Sequence, residues 1–96
     1  MTHTPSIISN EYRCVFCGRT YDLERHHCIY GNGRRGLSEK YGLWVYLCPE
    51  HHTMGKYAVH RHRDYDVVLH QLAQCLWEEK YGTREEFIKE FGRSWL

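Results

Sequence analysis

The sequence predicts an α+β domain in which a short pair of strands is followed by two helices. Three observations support this fold class: cysteine and histidine pairs at short spacing, a β-branched and aromatic run at residues 43–47, and two amphipathic patterns in the last third of the chain. The 96 residues suffice for one domain, but so small a domain buries too little apolar surface to be stable without a further constraint. We therefore expect a bound metal ion to stabilise the fold.

The sequence of residues 1–36 predicts, in order, an arm, a tight turn, a strand and a loop. Residues 1–10 are polar and lack periodicity, which predicts a flexible arm. A Cys-x-x-Cys turn follows at residues 14–17, and Gly18 supplies the backbone freedom that a metal-binding turn needs. Residues 21–30 mix polar and apolar positions like a short strand. Three glycines between positions 31 and 36 then indicate a loop.

Residues 43–47 predict a buried strand, and a short helix is expected from His51 onward. Asp64 is predicted to cap a longer helix, which Gly82 is expected to end. Apolar residues recur in that helix at spacings of three and four. They are Val68, Leu69, Leu72, Ala73, Leu76 and Trp77.

A capping-box signature at Thr83 and Glu86 predicts a last helix, which Gly92 is expected to end. Phe87, Ile88 and Phe91 are its apolar residues.

The chain is thus predicted to comprise a flexible arm over residues 1–10, a metal-bound core over 11–63 and a helical pair over 64–96 that packs on the core. The net charge also differs between the first two of these regions, taken together, and the third. Residues 1–63 carry a net charge of +4 and residues 64–96 a net charge of −3, which together give +1. A basic region around the histidines favours a polyanionic ligand such as nucleic acid.

The five cysteines indicate metal binding rather than a disulfide framework. An odd number of cysteines, one Cys-x-x-Cys pair and no signal peptide predict a protein of the reducing cytoplasm. No apolar run approaches the roughly 20 residues that cross a bilayer, so no membrane role is expected. Cys28 and Cys75 are expected to be buried in the core as small hydrophobic residues.

Cys14, Cys17, Cys48 and His51 predict a structural zinc site. Ligands two residues apart can reach one ion from a single turn, and two such pairs supply the four ligands of tetrahedral zinc. His52 is the alternative fourth ligand. The alternative for the cysteines is incidental core packing, which such short spacings seldom serve.

Four further histidines, His26, His27, His52 and His60, point to chemistry because packing seldom requires so many imidazoles in a small basic domain. Hydrolysis of a phosphodiester does use them. A metal ion can stabilise the leaving oxygen while a neutral imidazole takes a proton from water. Adjacent residues of a strand face opposite sides, so one residue of the His26 and His27 pair can bind metal while the other acts as a base.

The Cys-x-x-Cys-Gly turn, the His-His-Cys-Ile run at residues 26–29 and the Leu-Cys-Pro-Glu-His-His run at 47–52 occur in an order that resembles the HNH endonucleases with a zinc-bound ββα-metal core. The likeness extends from Cys14 to His60. It implies a zinc-stabilised ββα-metal core with two C-terminal helices and an enzyme that hydrolyses DNA. Compact proteins of this family are typical of bacteriophages and their bacterial hosts, so the implied location is the bacterial cytoplasm.

The resemblance also implies residue roles. His26 would bind a catalytic divalent ion such as Mg²⁺, Mn²⁺, Ni²⁺ or Zn²⁺, and His27 would be the general base. His52 would be the last ligand of that ion, with His60 as a third imidazole.

Two positions depart from the family's pattern. The family's middle asparagine braces the histidine loop, but residues 40–43 read Lys-Tyr-Gly-Leu, and Asn32 lies well upstream. A different residue must brace the loop if the enzyme is active. His51 also stands where the family usually has its fourth cysteine.

Arg34, Arg35, Lys56 and Arg61 are the candidate DNA-binding residues. Arg34 and Arg35 are expected in the glycine-rich loop, from which guanidinium groups can contact phosphate oxygens. A solvated surface loop is the alternative. Two other functions stay open: a zinc-finger DNA-binding or regulatory protein without catalysis, and a protein-interaction module that binds its partner through the C-terminal helices.

Overall fold

A computed structural model describes residues 4–31 and 33–96. Within these ranges the chain forms a two-stranded antiparallel sheet, three α-helices and one π-helical turn, which confirms the α+β class. Asn32 and the first three residues of the predicted arm lie outside the described residues. The elements are β1 (Glu24–His27), α1 (Arg34–Tyr41), β2 (Trp44–Leu47), the π-helical turn (Glu50–Met54), α2 (Arg63–Lys80) and α3 (Arg84–Phe91).

The sheet pairs β1 with β2 in a register that sets His26 opposite Val45 and His27 opposite Trp44. The first strand is shorter than predicted, with four residues. Asp22 has a left-handed backbone conformation, with φ at 50°, and Gly31 has φ at 88°. Because neither conformation is extended, the strand is confined between them.

The loop predicted around Arg34 and Arg35 is instead the first turn of α1, and this correction changes where the two guanidinium groups lie. Gly33 (φ 83°) precedes the helix and Gly42 (φ 73°) follows it, both in the left-handed conformation that glycine adopts without steric cost. Glycines therefore mark the two ends of a helix here.

The described part of the N-terminal segment packs beside β2. The Trp44 Nε1 donates a hydrogen bond to the Thr4 carbonyl at 2.8 Å, and the Ser6 hydroxyl donates to the Trp44 carbonyl at 2.5 Å. The Ile7 N–H donates to the Gly42 carbonyl at 2.9 Å. The prediction of a flexible arm did not anticipate these contacts, because they join residues about forty positions apart in the sequence.

Helix α2 begins one residue before the predicted cap. The carbonyl of His62 accepts hydrogen bonds from the N–H groups of Tyr65 and Asp66, so Asp64 lies inside the first turn and makes no cap. The helix ends at Lys80, and the N–H groups of the next two residues, Tyr81 and Gly82, both donate to one carbonyl of the last turn.

The buried face of α2 is narrower than the apolar pattern predicted. Leu69, Ala73 and Trp77 are buried, but Val68 is 50% exposed and Leu72 is 38% exposed. Cys75 is also exposed, and its predicted burial is wrong. It lies outside the buried stripe of the helix that contains Leu69, Ala73 and Trp77. Cys28 is fully buried in the core, as predicted.

Helix α3 has the predicted capping box. The Glu86 N–H donates to the Thr83 hydroxyl at 3.1 Å, and the Thr83 N–H donates to the Glu86 carboxylate at 2.9 Å. Phe87 and Phe91 stack on each other in the core, and Gly92 ends the helix with φ at 90°. Within the described ranges, no helix has the length and apolar composition needed to cross a membrane.

Candidate active site

The four predicted zinc ligands lie together, and we call Cys14, Cys17, Cys48 and His51 the knuckle site. Their ligand atoms all lie within 4.8 Å of one another, so these residues could bind a metal ion such as zinc. The Cys17 and Cys48 sulfurs are 3.7 Å apart. Tetrahedral zinc, with Zn–S bonds of about 2.3 Å, places neighbouring sulfurs about 3.8 Å apart. The distance therefore suits zinc and is far too long for a disulfide bond.

Backbone hydrogen bonds hold the first turn of the knuckle site against β2. The Gly18 N–H donates to the Cys14 carbonyl at 2.8 Å, which closes the turn. The Val15 N–H donates to the Tyr46 carbonyl at 3.1 Å, which attaches the turn to the strand. The knuckle site thus joins the turn at residues 14–17 to the end of β2.

The two thiols of the first turn differ in acidity. Burial acts to raise the pKa of Cys14, but hydrogen bonds from the backbones of Cys48, Cys17 and Phe16 outweigh it and lower that pKa. A hydrogen bond from the Arg19 backbone acts to lower the pKa of Cys17, but burial and the neighbouring sulfurs outweigh it and raise that pKa. The negative charge of one thiolate thus disfavours ionisation of the neighbouring thiol, and a bound cation would offset the repulsion between the two charges.

A second group of possible ligands is formed by His26, His52 and His60, which we call the histidine cluster. Their ligand nitrogens also lie within 4.8 Å of one another. The Nε2 atoms of His52 and His60 are 3.1 Å apart, and the His26 ring centroid lies 5.3 Å and 5.2 Å from the other two. Three imidazoles facing one another supply nitrogen ligands of the kind that bind zinc and nickel.

Glu24 orients one ring of the histidine cluster. Its carboxylate lies 2.9 Å from the Nδ1 of His52. If that nitrogen carries the proton, Nε2 keeps the lone pair that a metal ion needs, and a carboxylate behind a histidine ligand is a common arrangement in metal sites. Glu24 was not predicted as a site residue, although its position two residues before His26 puts both on one face of β1.

His26 is the most buried member of the histidine cluster, with 2% of its surface exposed. Burial, followed by the nearby His52 and His60, lowers its pKa to about 3. Burial and His52 also lower the pKa of His60. Both imidazoles are therefore neutral at pH 7, which is the form that binds metal.

The π-helical turn directs two adjacent histidines to different sites. The N–H groups of His51 and His52 both donate to the Cys48 carbonyl, at 3.0 Å and 2.9 Å. The segment that follows returns to the turn, where the Val59 N–H donates to the His51 carbonyl and the His60 N–H to the His52 carbonyl. His51 thus belongs to the knuckle site, and the backbone holds His52 beside His60.

His27, the predicted base, contacts a different set of residues. Its Nε2 lies 2.6 Å from one oxygen of Glu39 on α1, and Arg25 contacts the other oxygen at 2.6 Å. The Arg25 guanidinium also lies over the Trp44 ring, 3.8 Å from its centroid. Glu39 therefore orients the imidazole from the side of α1.

Ser38 braces the segment after β1. Its hydroxyl donates to the Ile29 carbonyl at 2.5 Å and accepts from the Ile29 N–H at 3.1 Å. Ser38 is fully buried. A serine on α1 thus makes two hydrogen bonds that hold the chain directly after the two histidines.

The histidine cluster and His27 line one cleft of about 140 Å³. The remaining lining residues are Arg25, Tyr30 and Arg35. Arg35 is thus the one candidate DNA-binding residue that reaches this cleft among the described residues.

The other three candidate DNA-binding residues lie elsewhere. The Arg34 Nε donates to the Phe91 carbonyl at 2.9 Å, so its side chain faces α3. Arg61 donates to the Met54 carbonyl at 3.1 Å, and the Lys56 ammonium lies 5.4 Å from the Tyr57 ring centroid. None of these three side chains lines the cleft that Arg35 lines.

Asp66 and His70 on α2 lie behind the histidine cluster, and neither was predicted. Asp66 Oδ2 accepts a hydrogen bond from the Tyr30 hydroxyl at 2.5 Å and lies 3.2 Å from the His70 Nε2. Burial acts to raise the pKa of Asp66, but His70 and Tyr30 outweigh it and lower that pKa. The carboxylate is therefore ionised at neutral pH, close to the histidine cluster.

No protein-family model, curated protein or solved structure matches this chain. The geometry of the described residues thus carries the functional assignment. It joins three imidazoles that could hold a metal ion, an imidazole paired with a carboxylate, and two guanidinium groups in one cleft.

Proposed function

We propose that this protein is a metal-dependent endonuclease that hydrolyses DNA phosphodiester bonds. In this proposal β1, β2 and the π-helical turn form a ββα-metal core of the HNH type. The observation that carries the proposal is the position of His27, which lines the same cleft as the histidine cluster and is paired with Glu39. A base beside a metal site is the arrangement that phosphodiester hydrolysis requires.

The histidine cluster would hold the catalytic divalent ion, and the knuckle site would hold structural zinc. A catalytic ion supplies stabilisation of the negative charge that develops on the phosphate and the leaving oxygen. Imidazole ligands favour Zn²⁺ and Ni²⁺ over Mg²⁺, which prefers oxygen ligands. Of the four ions considered from the sequence, zinc and nickel are thus the better matches, followed by manganese.

His27 would take the proton of the attacking water. Its Nε2 is engaged by Glu39, so Nδ1 is the nitrogen that accepts this proton. The carboxylate would hold the ring in one tautomer and stabilise the imidazolium that forms. Because half-buried His27 lines the cleft, it can be reached from solvent.

Arg35 and Arg25 would contact the DNA backbone at the cleft. Guanidinium groups pair with phosphate oxygens through two parallel hydrogen bonds. Arg25 is already held by Glu39, so Arg35 is the more available donor. Any contact of Arg34, Lys56 and Arg61 with the DNA backbone would lie outside the cleft.

A plasmid-nicking assay tests this function. Wild-type protein is incubated with supercoiled DNA and Mg²⁺, Mn²⁺, Ni²⁺ or Zn²⁺, in parallel with His27→Ala and with His62→Ala as a control outside the cleft. We expect nicking by wild type and His62→Ala in at least one metal, and a loss of 100-fold or more, on the order of a general base's contribution, in His27→Ala. Equal rates for wild type and His27→Ala in every metal would refute catalysis by His27.

The same preparations separate the other functions. Retention of DNA at low salt without nicking would favour a zinc-finger DNA-binding protein. A stoichiometric protein partner without DNA retention would favour an interaction module.

A further inference from the structure

Two buried polar atoms face each other between α2 and β1 without a hydrogen bond. They are the Nε2 of His26 and the Oδ1 of Asp66, and neither has a hydrogen-bond partner within residues 4–31 and 33–96. The two atoms are 3.8 Å apart. Asp66 is 7% exposed and His26 is 2% exposed, so solvent has little access to either side chain.

The two atoms have complementary chemistry. A carboxylate oxygen only accepts hydrogen bonds, and an imidazole nitrogen can donate one. Buried polar atoms in folded proteins nearly always have partners. A shift of about 1 Å brings this pair to hydrogen-bond distance.

The other oxygen of Asp66 fixes the carboxylate in place. Oδ2 is held by the Tyr30 hydroxyl at 2.5 Å and by the His70 Nε2 at 3.2 Å. His70 in turn contacts the buried carbonyl of Cys28 through its Nδ1. Asp66 is thus anchored from the segment that follows β1 as well as from its own helix, while Oδ1 lies 3.8 Å from the Nε2 of His26.

We infer that Asp66 is a positioning residue for the metal centre. Its carboxylate accepts a hydrogen bond from the Nε2–H of His26, which leaves Nδ1 of that ring as the metal-binding nitrogen. The inference rests on the proposed function, because it assumes that the histidine cluster holds an ion. A carboxylate behind a histidine ligand fixes its tautomer and raises its affinity for metal. His26 would then resemble His52, whose Nδ1 faces Glu24.

The first test measures metal affinity. Protein with zinc at the knuckle site is titrated with Co²⁺ or Ni²⁺, and binding at the histidine cluster is followed by its visible absorption. Asp66→Asn keeps the shape of the side chain and is expected to weaken binding by about 10- to 100-fold. Asp64→Asn, an exposed position in the same helical turn, is the matched control and should bind like wild type. Circular dichroism confirms that both variants are folded.

The second test needs no activity and no second metal ion. Nitrogen-15 chemical shifts of the His26 ring, in protein loaded with zinc at the knuckle site alone, report which nitrogen carries the proton. We expect the Nε2–H tautomer in wild type and a shift toward the Nδ1–H form in Asp66→Asn. An Nδ1–H tautomer in wild type would overturn the inference.

The two proposals fail in different ways. If wild type nicks DNA and Asp66→Asn binds Co²⁺ with unchanged affinity, the positioning role is wrong and the nuclease assignment stands. If wild type binds no second ion, both are wrong.

Discussion

Side chains alternate between the two faces of β1, so its four residues form two pairs with different partners. Glu24 and His26 contact His52, while Arg25 and His27 contact Glu39. Residues two apart on a strand share a face, so each imidazole is accompanied by a charged side chain on its own side. In the proposed nuclease, this four-residue strand would therefore supply a metal ligand and a base to one cleft, each with its own partners.

Glu39 should matter for the rate of cleavage more than for metal binding. Glu39→Gln keeps a hydrogen-bonding side chain but removes the negative charge beside His27, which disfavours the imidazolium that forms. We expect nicking to fall by about 10-fold or more, with unchanged affinity at the histidine cluster. Glu79→Gln, exposed on α2, is the control. A wild-type rate in Glu39→Gln would contradict the assigned role.

Single residues of the site could be predicted only where the chain itself groups them. The two knuckle pairs and the adjacent histidines are visible as short spacings. Glu39 and Asp66 were not predicted because they contact His27 and His26 from α1 and α2, and nothing local to the sequence connects them to β1. Contacts between residues on distant elements can be identified only when the fold is known.

At the scale of elements, the π-helical turn places His51 and His52 in different groups of possible metal ligands. In that turn both N–H groups donate to the carbonyl of Cys48, and the two side chains belong to different ligand groups. π-Helical turns are rare and are frequent at functional sites. The sequence predicted a helix here but could not show which histidine faces which group.

Helix boundaries were predicted correctly where the capping residues form a recognisable short pattern in the sequence. They were missed where no such pattern is present. The capping box of α3 depends on residues three apart, so the pattern identified it. The start of α1 was interpreted as a loop because of the glycines at positions 31, 33 and 36, of which Gly33 directly precedes the helix and Gly36 lies inside it. Glycine composition alone cannot tell a helix end from a loop.

The α3 cap gives a prediction for stability. Thr83→Ala removes the hydroxyl that accepts from the Glu86 N–H, and loss of such a cap costs about 1 kcal/mol. We expect the free energy of unfolding to fall by about that amount in a denaturant titration. Thr20→Ala, exposed and outside the helices, should change it little. An unchanged free energy of unfolding in Thr83→Ala would show that the cap does not contribute.

At the scale of the whole molecule, the knuckle site links segments that are far apart in sequence. It joins the turn at residues 14–17 to the end of β2 and to the π-helical turn. The core of this small domain is shared by the sheet, α2 and α3. Since the histidine cluster takes His52 from the same π-helical turn, order at the second site depends on order at the first.

Removal of metal from the knuckle site should therefore unfold the domain or destabilise it strongly, because structural zinc contributes directly to folding. Cys17→Ser should act in the same direction, while Cys75→Ser, exposed on α2, should melt like wild type. Thermal melts followed by circular dichroism, with metal content verified, test this. A wild-type melt after verified metal loss would refute a structural role for the knuckle site.

The central claim is that two metal centres share one short segment of chain, with His51 in one and His52 in the other. Anomalous difference maps of metal-loaded crystals, collected on both sides of the absorption edge, test it most directly. We predict one peak about 2.3 Å from the knuckle sulfurs and a second about 2.0 Å from nitrogens of the histidine cluster, with His52→Ala losing the second peak alone. A single peak, or a first peak bound by His52 in place of His51, would contradict the claim.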